Sequence, residues 1–445
     1  PRQSAPDWAS ASCRCIRPSR TWARAPWCGS CRNTACNSST SMRCTLRGSI
    51  STRRSRPGWN TSRKACPACS SATKRRWWSW AWNSEDPPEP IIARPVAGPC
   101  PPLRWRWYGR RFRSRLQSPV MKKNVFVFSR LAPEHLERLQ CQFNVRVLEP
   151  KQGDIDAQYA AALPDTHGMI GVGRPLGARQ LEQAMQLEVI SSVSVGYDNY
   201  DLDYLNRRGI ALTNTPDVLT ETTADLGFAL LISAARRVAE LDAWVKAGNW
   251  KRTVDAPQFG TDVHGKKLGI LGLGRIGAAI ARRGRFGFGM QVLYHGNNRK
   301  PELEQELGAR FLGFDELLGE ADFVCVVVPL GAQTRQLIGA RELGLMKPSA
   351  ILVNVARGQV VDEAALVAAL REKRILGAGL DVYEKEPLAE SPLFALDNVV
   401  TLPHIGSATH ETRRAMAERA LQNFEAALRG ERPLDLVNPQ VWRRG

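Results

Sequence analysis

The chain has 445 residues, room for two or three domains, and its 62 Lys and Arg against 43 Asp and Glu give a formal charge of +19. The whole excess lies in residues 1–120, with 23 basic and 4 acidic residues, so 121–445 is neutral with 39 of each. That confinement excludes a basic nucleic-acid surface spread along the chain, and no stretch is apolar for long enough to cross a membrane as a helix.

Residues 1–120 also hold nine of the 11 cysteines and ten of the 13 tryptophans, but only ten Leu, Ile, Val or Phe, too few to bury a core. Cys28-Gly-Ser-Cys31 and Cys66-Pro-Ala-Cys69 have a zinc-knuckle spacing within each pair, but 34 residues separate the pairs and no histidine lies nearby. The runs at 74–78 and 104–115 are basic and aromatic enough to touch nucleic acid or a membrane surface. A targeting peptide would need an apolar core or an amphipathic helix, and neither is present. Lacking periodicity, the segment reads as the wrong-frame translation of an upstream gene, a disordered leader with the true start at Met121. No metal set is expected.

From Met121 the texture changes. Strands are expected at 123–129, 143–148, 167–172, 187–195 and 210–214, with a helix over 133–142 and further helical stretches between them. Such alternation specifies a parallel sheet covered on both faces. A long helix over 221–248, apolar at Ala224, Phe228, Leu231, Ile232 and Ala235, is suited to joining two domains. The pattern then restarts, with strands near 268–271, 290–294, 322–328, 350–355, 377–382 and 399–402. A last helix begins near Thr409, apolar at Met416, Ala420, Leu421, Phe424 and Leu428. The expected fold is α/β: two Rossmann-like, doubly wound parallel-sheet domains with the active site in the cleft between them. One domain takes 121–220 with 409–445, the other 221–408. Only Cys141 and Cys325 remain after Met121, so no disulfide framework is implied and a reducing cytoplasm fits.

The stretch Leu-Gly-Ile-Leu-Gly-Leu-Gly-Arg-Ile-Gly at 268–277 carries the most chemistry. An apolar strand runs into Gly272, Gly274 and Gly277 and then into a small-residue helix. The first glycine permits the turn, the second lets backbone approach a pyrophosphate, and the third lets the helix pack on its strand. The helix start at Arg275, Ile276 and Gly277 then offers unpaired N–H groups and a positive dipole end to the phosphates. A dinucleotide site is therefore expected. An NAD site places Asp or Glu about 20 residues further on. Here the second strand runs into His295-Gly296-Asn297-Asn298-Arg299-Lys300, with no acid before Glu302. Arg299 would attract a 2′-phosphate, and Asn297 and Asn298 could hydrogen-bond it. NADP(H) is expected to be preferred, with NAD(H) possible.

Ligands of such sheets bind at the carboxyl ends of strands. Those ends carry Arg357, then Asp381 and Glu386, then His404. Hydride transfer to a carbonyl needs a proton donor, a cation to polarise the oxygen, and a partner that fixes the donor's state. A carboxylate beside His404 would favour the imidazolium, which can donate near neutral pH. Singly, each has a plainer alternative: Arg357 a surface cap, Glu386 a loop acid, His404 a core histidine. Together, downstream of the glycine turn, they favour the catalytic reading. Arg174, after the strand end Gly171-Val172-Gly173, would face the cleft and suit the distal end of an extended or phosphorylated acid. Its plainer alternative is a solvated loop arginine.

Residues 121–445 resemble the D-isomer-specific 2-hydroxyacid dehydrogenase family. The resemblance rests on Ser194-Val195-Gly196-Tyr197-Asp198-Asn199, the 268–277 turn, Asn354-Val355-Ala356-Arg357-Gly358, 379–387, and Pro403-His404-Ile405-Gly406-Ser407. The 197–199 and 259–265 stretches are similar to the glyoxylate/hydroxypyruvate and 2-ketogluconate reductases. The resemblance implies that His404 is the acid/base, Glu386 its partner, and Arg357 the binder of the keto-carboxylate. It further implies that N–H groups near Val195 and Gly196 grip that carboxylate, that Asp381 meets the nicotinamide amide, and that the protein is a homodimer. The expected partner is a small 2-keto or 2-hydroxy acid, with neither nucleic acid nor membrane. A rival is a coenzyme-sensing corepressor on the same fold, which would be expected to lose the His–Glu–Arg set.

Overall fold

The computed structural model describes residues 122–442. The cysteine pairs, basic runs and leader expectations of residues 1–120 lie outside the described residues. A first, five-stranded sheet comprises β1 (Asn124–Val127), β2 (Asn144–Val147), β3 (Gly168–Gly171), β4 (Val189–Ser192) and β5 (Ala211–Thr213). Its order is β2-β1-β3-β4-β5 and every pairing is parallel. A second, seven-stranded sheet comprises β6 (Lys267–Leu271), β7 (Gln291–His295), β8 (Arg310–Phe311), β9 (Phe323–Val326), β10 (Ile351–Asn354), β11 (Gly377–Leu380) and β12 (Val399–Thr401). Its order is β12-β11-β10-β9-β6-β7-β8, again all parallel.

The central strands are apolar along their length because helices cover both faces. Phe323 through Val326 in β9 and Ile351 through Val353 in β10 are all buried. All eleven expected strands form. The twelfth, β8, is two residues at a sheet edge and has too little pattern to be read in advance.

The helix expected over 221–248 is instead two. Thr220–Arg236 buries Ala224, Phe228, Leu230, Leu231 and Ala235 in the core of the second lobe. It stops where Arg237 turns left-handed at φ 55°. Arg237 is held there by ion-pairing Glu240 and by donating to the carbonyls of Pro257 and Phe259. Val238–Lys246 follows as a separate helix with no buried residue.

The C-terminal helix His410–Leu428 returns to the first lobe. Thr409 caps it, accepting from the Thr412 N–H at 3.2 Å. Met416, Ala420, Leu421, Phe424 and Leu428 pack with Val125, Val127, Ile170 and Val189. Several contacts join the lobes among the described residues. Thr222 and Thr412 share a hydroxyl hydrogen bond of 2.6 Å, Ile276 packs against both cores, and two ion pairs described below cross between them.

Candidate active site

Each residue singled out above lies just past the carboxyl end of a parallel strand. The β6 strand ends at Gly272, whose φ of +95° and contact with Val328 leave no room for a side chain. A Cβ at Gly277 would collide with the Gly272 carbonyl and sit 3.0 Å from Ile270, so the helix Arg275–Arg282 rests directly on its strand. Gly274 differs: a Cβ there meets nothing within 4 Å. Its face is open space above a helix start, the shape a pyrophosphate requires. Among the described residues no acceptor takes the N–H groups of Arg275, Ile276 or Gly277. The Arg275 side chain crosses to Asp217 of the first lobe, with Nε 2.5 Å from the carboxylate.

Past β7, Asn297, Asn298 and Arg299 are exposed. Arg299 donates to Glu304 at 2.6 Å, and Glu304 also accepts from the Tyr294 hydroxyl at 2.5 Å. The Arg299 and Tyr294 hydrogen bonds hold the Glu304 carboxyl below its ordinary range. An acid therefore stands beside this basic turn, from a helix that the strand-end reading did not cover.

Asn354, the last residue of β10, braces the following loop. Its Oδ1 accepts from the Ala356 N–H at 3.0 Å, and its Nδ2 donates to the Arg357 carbonyl at 3.0 Å. Gly358 lies so close to the Tyr383 backbone that a Cβ would coincide with its carbonyl. The Arg357 loop and the Glu386 loop are thus in contact. Tyr383 N–H donates to Glu386 Oε1 at 3.0 Å, and Glu386 Oε2 meets His404 Nδ1 at 2.7 Å. Burial alone would raise the Glu386 carboxyl. The His404 bond, the Tyr383 N–H and the Arg357 charge outweigh it and hold the group below the usual carboxylate range.

His404 adopts φ 52°. Asp381 supplies the fastening: its carbonyl accepts from His404 N–H, and its two carboxylate oxygens accept from Ile405 and Gly406 N–H at 2.7 and 2.8 Å. Only 2% exposed, Asp381 has its carboxyl pushed upward by burial, against the pull of those N–H donors. A nicotinamide contact would have to use whatever acceptor capacity these two bonds leave. The structure thus gives Asp381 a role in holding the loop that strand-end position alone did not disclose.

Past β4, Ser194 Oγ donates to the Gly196 carbonyl at 2.6 Å and Asn214 Nδ2 to the Val195 carbonyl at 2.8 Å. With both carbonyls tied, the N–H groups of Val195 and Gly196 have no acceptor among the described residues. Gly196 sits against the Arg357 guanidinium. The first and second lobes therefore meet at the carboxyl ends of β4 and β10.

Arg174 is placed differently from the expectation. Its guanidinium pairs with Asp156 and lies 4.4 Å from the Tyr159 ring centroid, both on the helix Ile155–Ala162 of its own lobe. Both partners are distant in sequence from the 171–175 turn, which is why the turn alone left Arg174 free.

Comparison with known proteins gives the class. The family model for the D-isomer specific 2-hydroxyacid dehydrogenase, NAD binding domain, matches residues 228–406. The glyoxylate/hydroxypyruvate reductase B of Klebsiella pneumoniae is 48% identical over 322 residues, 72% of this chain and 100% of that protein. The chain belongs to the D-isomer specific 2-hydroxyacid dehydrogenase family, on the side of its glyoxylate/hydroxypyruvate reductases. The TT0316 protein of Thermus thermophilus matches with TM-score 0.65 and 43% identity, over 71% of this chain and 99% of that one. An NADPH-dependent glyoxylate/hydroxypyruvate reductase from Sinorhizobium meliloti, solved with NADP and malonate, matches with TM-score 0.66 and 35% identity, over 73% and 99%.

Proposed function

We propose that this protein reduces glyoxylate and hydroxypyruvate to the corresponding 2-hydroxy acids with NADPH in preference to NADH. One observation carries the reading. The His404–Glu386 pair and Arg357 occupy the ends of three neighbouring strands, β10, β11 and β12, in the same sheet as the phosphate-binding turn. The names of the Klebsiella and Sinorhizobium relatives support the substrate and the coenzyme.

The dinucleotide, when bound, supplies the hydride. The protein's own residues do the rest. Arg357 and the free N–H groups of Val195 and Gly196 hold the 2-oxo-carboxylate. Glu386 engages His404 at Nδ1, which leaves Nε2 as the ring nitrogen able to deliver a proton to the developing alkoxide. Asp381 keeps the His404 loop in place. The glycines at 272, 274 and 277 and the N–H groups of 275–277 take the pyrophosphate, and Asn297, Asn298 and Arg299, whose guanidinium Glu304 holds along one edge, take the 2′-phosphate. The lobe around the first sheet, with the C-terminal helix, is then the substrate-binding domain, and the lobe around the second sheet is the coenzyme domain. A corepressor has no need of the His404–Glu386 pair, so that rival is set aside.

The reading extends to a homodimer. Val238–Lys246 has no fully buried residue, and Val245, Trp250, Val254 and Phe259 on and after it are exposed. A second copy covering that face would bury them. It also extends to a cytoplasmic setting, which the unpaired Cys141 and Cys325 support, and to a protein with neither nucleic acid nor membrane as partner. Among the described residues no helix is long and apolar enough to cross a membrane.

A substrate panel tests the proposal: glyoxylate, hydroxypyruvate, 2-ketogluconate and its 6-phosphate, each with NADPH and NADH, read by nicotinamide absorbance. The same protein begun at Met121 is run beside it. A kcat/KM favouring NADH would remove the coenzyme assignment. Inactivity toward every 2-keto acid would remove the function.

A further inference from the structure

Asp198 has no part in the roles assigned so far, yet it makes the closest charged contact with Arg357. The Arg357 Nε donates to Asp198 Oδ1 and Oδ2 at 3.1 and 3.2 Å, and Nη2 lies 3.0 Å from Oδ1. The two residues are 159 positions apart and belong to different lobes. Although Asp198 sits on an exposed turn, its side chain is only 19% exposed, against 27% for Arg357. This is not a pair of loose surface side chains.

The opposite edge of the guanidinium is also fixed, because Nη1 donates to the Ala356 carbonyl at 2.9 Å. Five N–H groups project from a guanidinium. With the Nε edge held by Asp198 and one Nη1 hydrogen by Ala356, the hydrogens left are those on the Nη1–Nη2 end. A planar carboxylate docks on that end with two parallel hydrogen bonds. A guanidinium not pinned at Nε rotates about its long side chain and loses that alignment.

We infer that Asp198 is a positioning residue for substrate: it clamps the Nε edge of Arg357 from across the cleft and so presents the Nη1–Nη2 end to the 2-oxo-carboxylate. The inference rests on the function proposed above and adds to it a residue of the opposite lobe. It separates Asp198 from a purely electrostatic role, in which only its charge would matter.

The test uses the full chain with saturating NADPH. It measures KM and kcat for glyoxylate and hydroxypyruvate, the inhibition constant of oxalate (an unreactive carboxylate), and the dissociation constant of NADPH. Asp198→Ala is expected to raise both KM values and the oxalate constant by about tenfold or more, the worth of one charge-assisted hydrogen bond. Its kcat should fall less, and NADPH binding should stay within about twofold, well under the factor of ten that such a bond represents. Asp198→Asn keeps an acceptor opposite Nε and should recover most of the loss, whereas Asp198→Glu keeps the charge but shifts the guanidinium and should resemble Ala.

Wild-type KM and oxalate values in Asp198→Ala would overturn the inference. So would wild-type behaviour of Asp198→Glu, or NADPH affinity falling in step with substrate affinity. Should Asp198→Ala fail to fold, the Asn and Glu variants decide alone. Failure of the wild-type chain to reduce either acid would instead strike the function itself, and oxalate binding would still report the clamp.

Discussion

Replacing Gly196 by alanine should separate folding from function at this site. The backbone there is in an ordinary region, so the added methyl meets no conformational penalty. What it meets is Arg357. The new carbon would overlap Nη2, lie 2.8 Å from Cζ and come 2.9 Å from Asp198 Oδ1. Unstrained contacts of this kind stand at roughly 3.5–4.0 Å, so Cζ must retreat by about 1 Å and Nη2 further still. The obstructing group is the far end of a flexible side chain and can move, so the melting temperature should change by only a few degrees. Catalysis should not survive so well. A misplacement of about 1 Å costs roughly 10²-fold in rate, which corresponds to about 2.7 kcal/mol of transition-state stabilisation. We expect kcat/KM for glyoxylate to drop by about that factor while NADPH still binds, as measured by steady-state kinetics and quenching of protein fluorescence.

Two other glycines frame that result. At Gly358 the methyl would coincide with the Tyr383 carbonyl group, which is backbone and cannot step aside. Gly358→Ala should therefore fail at folding rather than at turnover. At Gly274 the methyl enters open space, so Gly274→Ala should fold normally and lose coenzyme affinity. A Gly196→Ala enzyme with unchanged kcat/KM would refute the placement of Arg357 in substrate binding. Equal melting behaviour of the 196 and 358 variants would refute the packing argument itself.

His404→Ala should lower kcat by roughly 10²–10⁴-fold, the usual worth of general acid catalysis, with NADPH binding unchanged in fluorescence titration. Glu386→Gln should lower kcat in steady-state kinetics, because His404 Nδ1 loses the carboxylate that orients the ring. Since Glu386 is held below the usual carboxylate range, its contribution to stability is full above that range and is lost only as pH falls through the lowered value. The Gln variant should accordingly show a flatter acid limb of stability in denaturant titrations. Arg138→Ala should destabilise the first lobe by about 1–3 kcal/mol in the same assay, since it removes the two-pronged partner of Glu425, whose side chain is 6% exposed. An unchanged midpoint would mean that Gln142 and Arg429 suffice to hold that acid.

What the sequence disclosed was whatever is carried locally. The 268–277 stretch places a strand, three glycines with different duties and a helix start within ten residues, so its pattern is legible locally even though Val328 also crowds Gly272. The apolar runs of β9 and β10 are legible for the same reason, because strands covered on both faces leave no polar alternation to confuse them. The break at Arg237 was not legible. The apolar positions run on past it, and the groups that stabilise the left-handed turn are Glu240 and two carbonyls 20 and 22 residues further along.

The same distinction runs through the active site. His404, Glu386 and Arg357 could be found because each follows a recognisable strand, and strand ends are where such folds place chemistry. Their orientation could not, because it depends on partners that share no local pattern with them. Asp381 reaches 24 and 25 residues ahead to pin Ile405 and Gly406. Asp198 reaches 159 residues and across a lobe boundary to Arg357. Arg174 is instead taken up by Asp156 and Tyr159, 18 and 15 positions before it. A charged side chain at the mouth of a cleft is free or committed according to which opposite charge the fold brings to it. The sequence lists the charges, and only the packing of helix on sheet and lobe on lobe pairs them. Arg357 and Arg174 are both loop arginines past strand ends, yet the first pairs with Asp198 across the lobe boundary and the second with Asp156 and Tyr159 of its own lobe. That difference in partner, not in residue type, is why strand-end position alone reads the two alike.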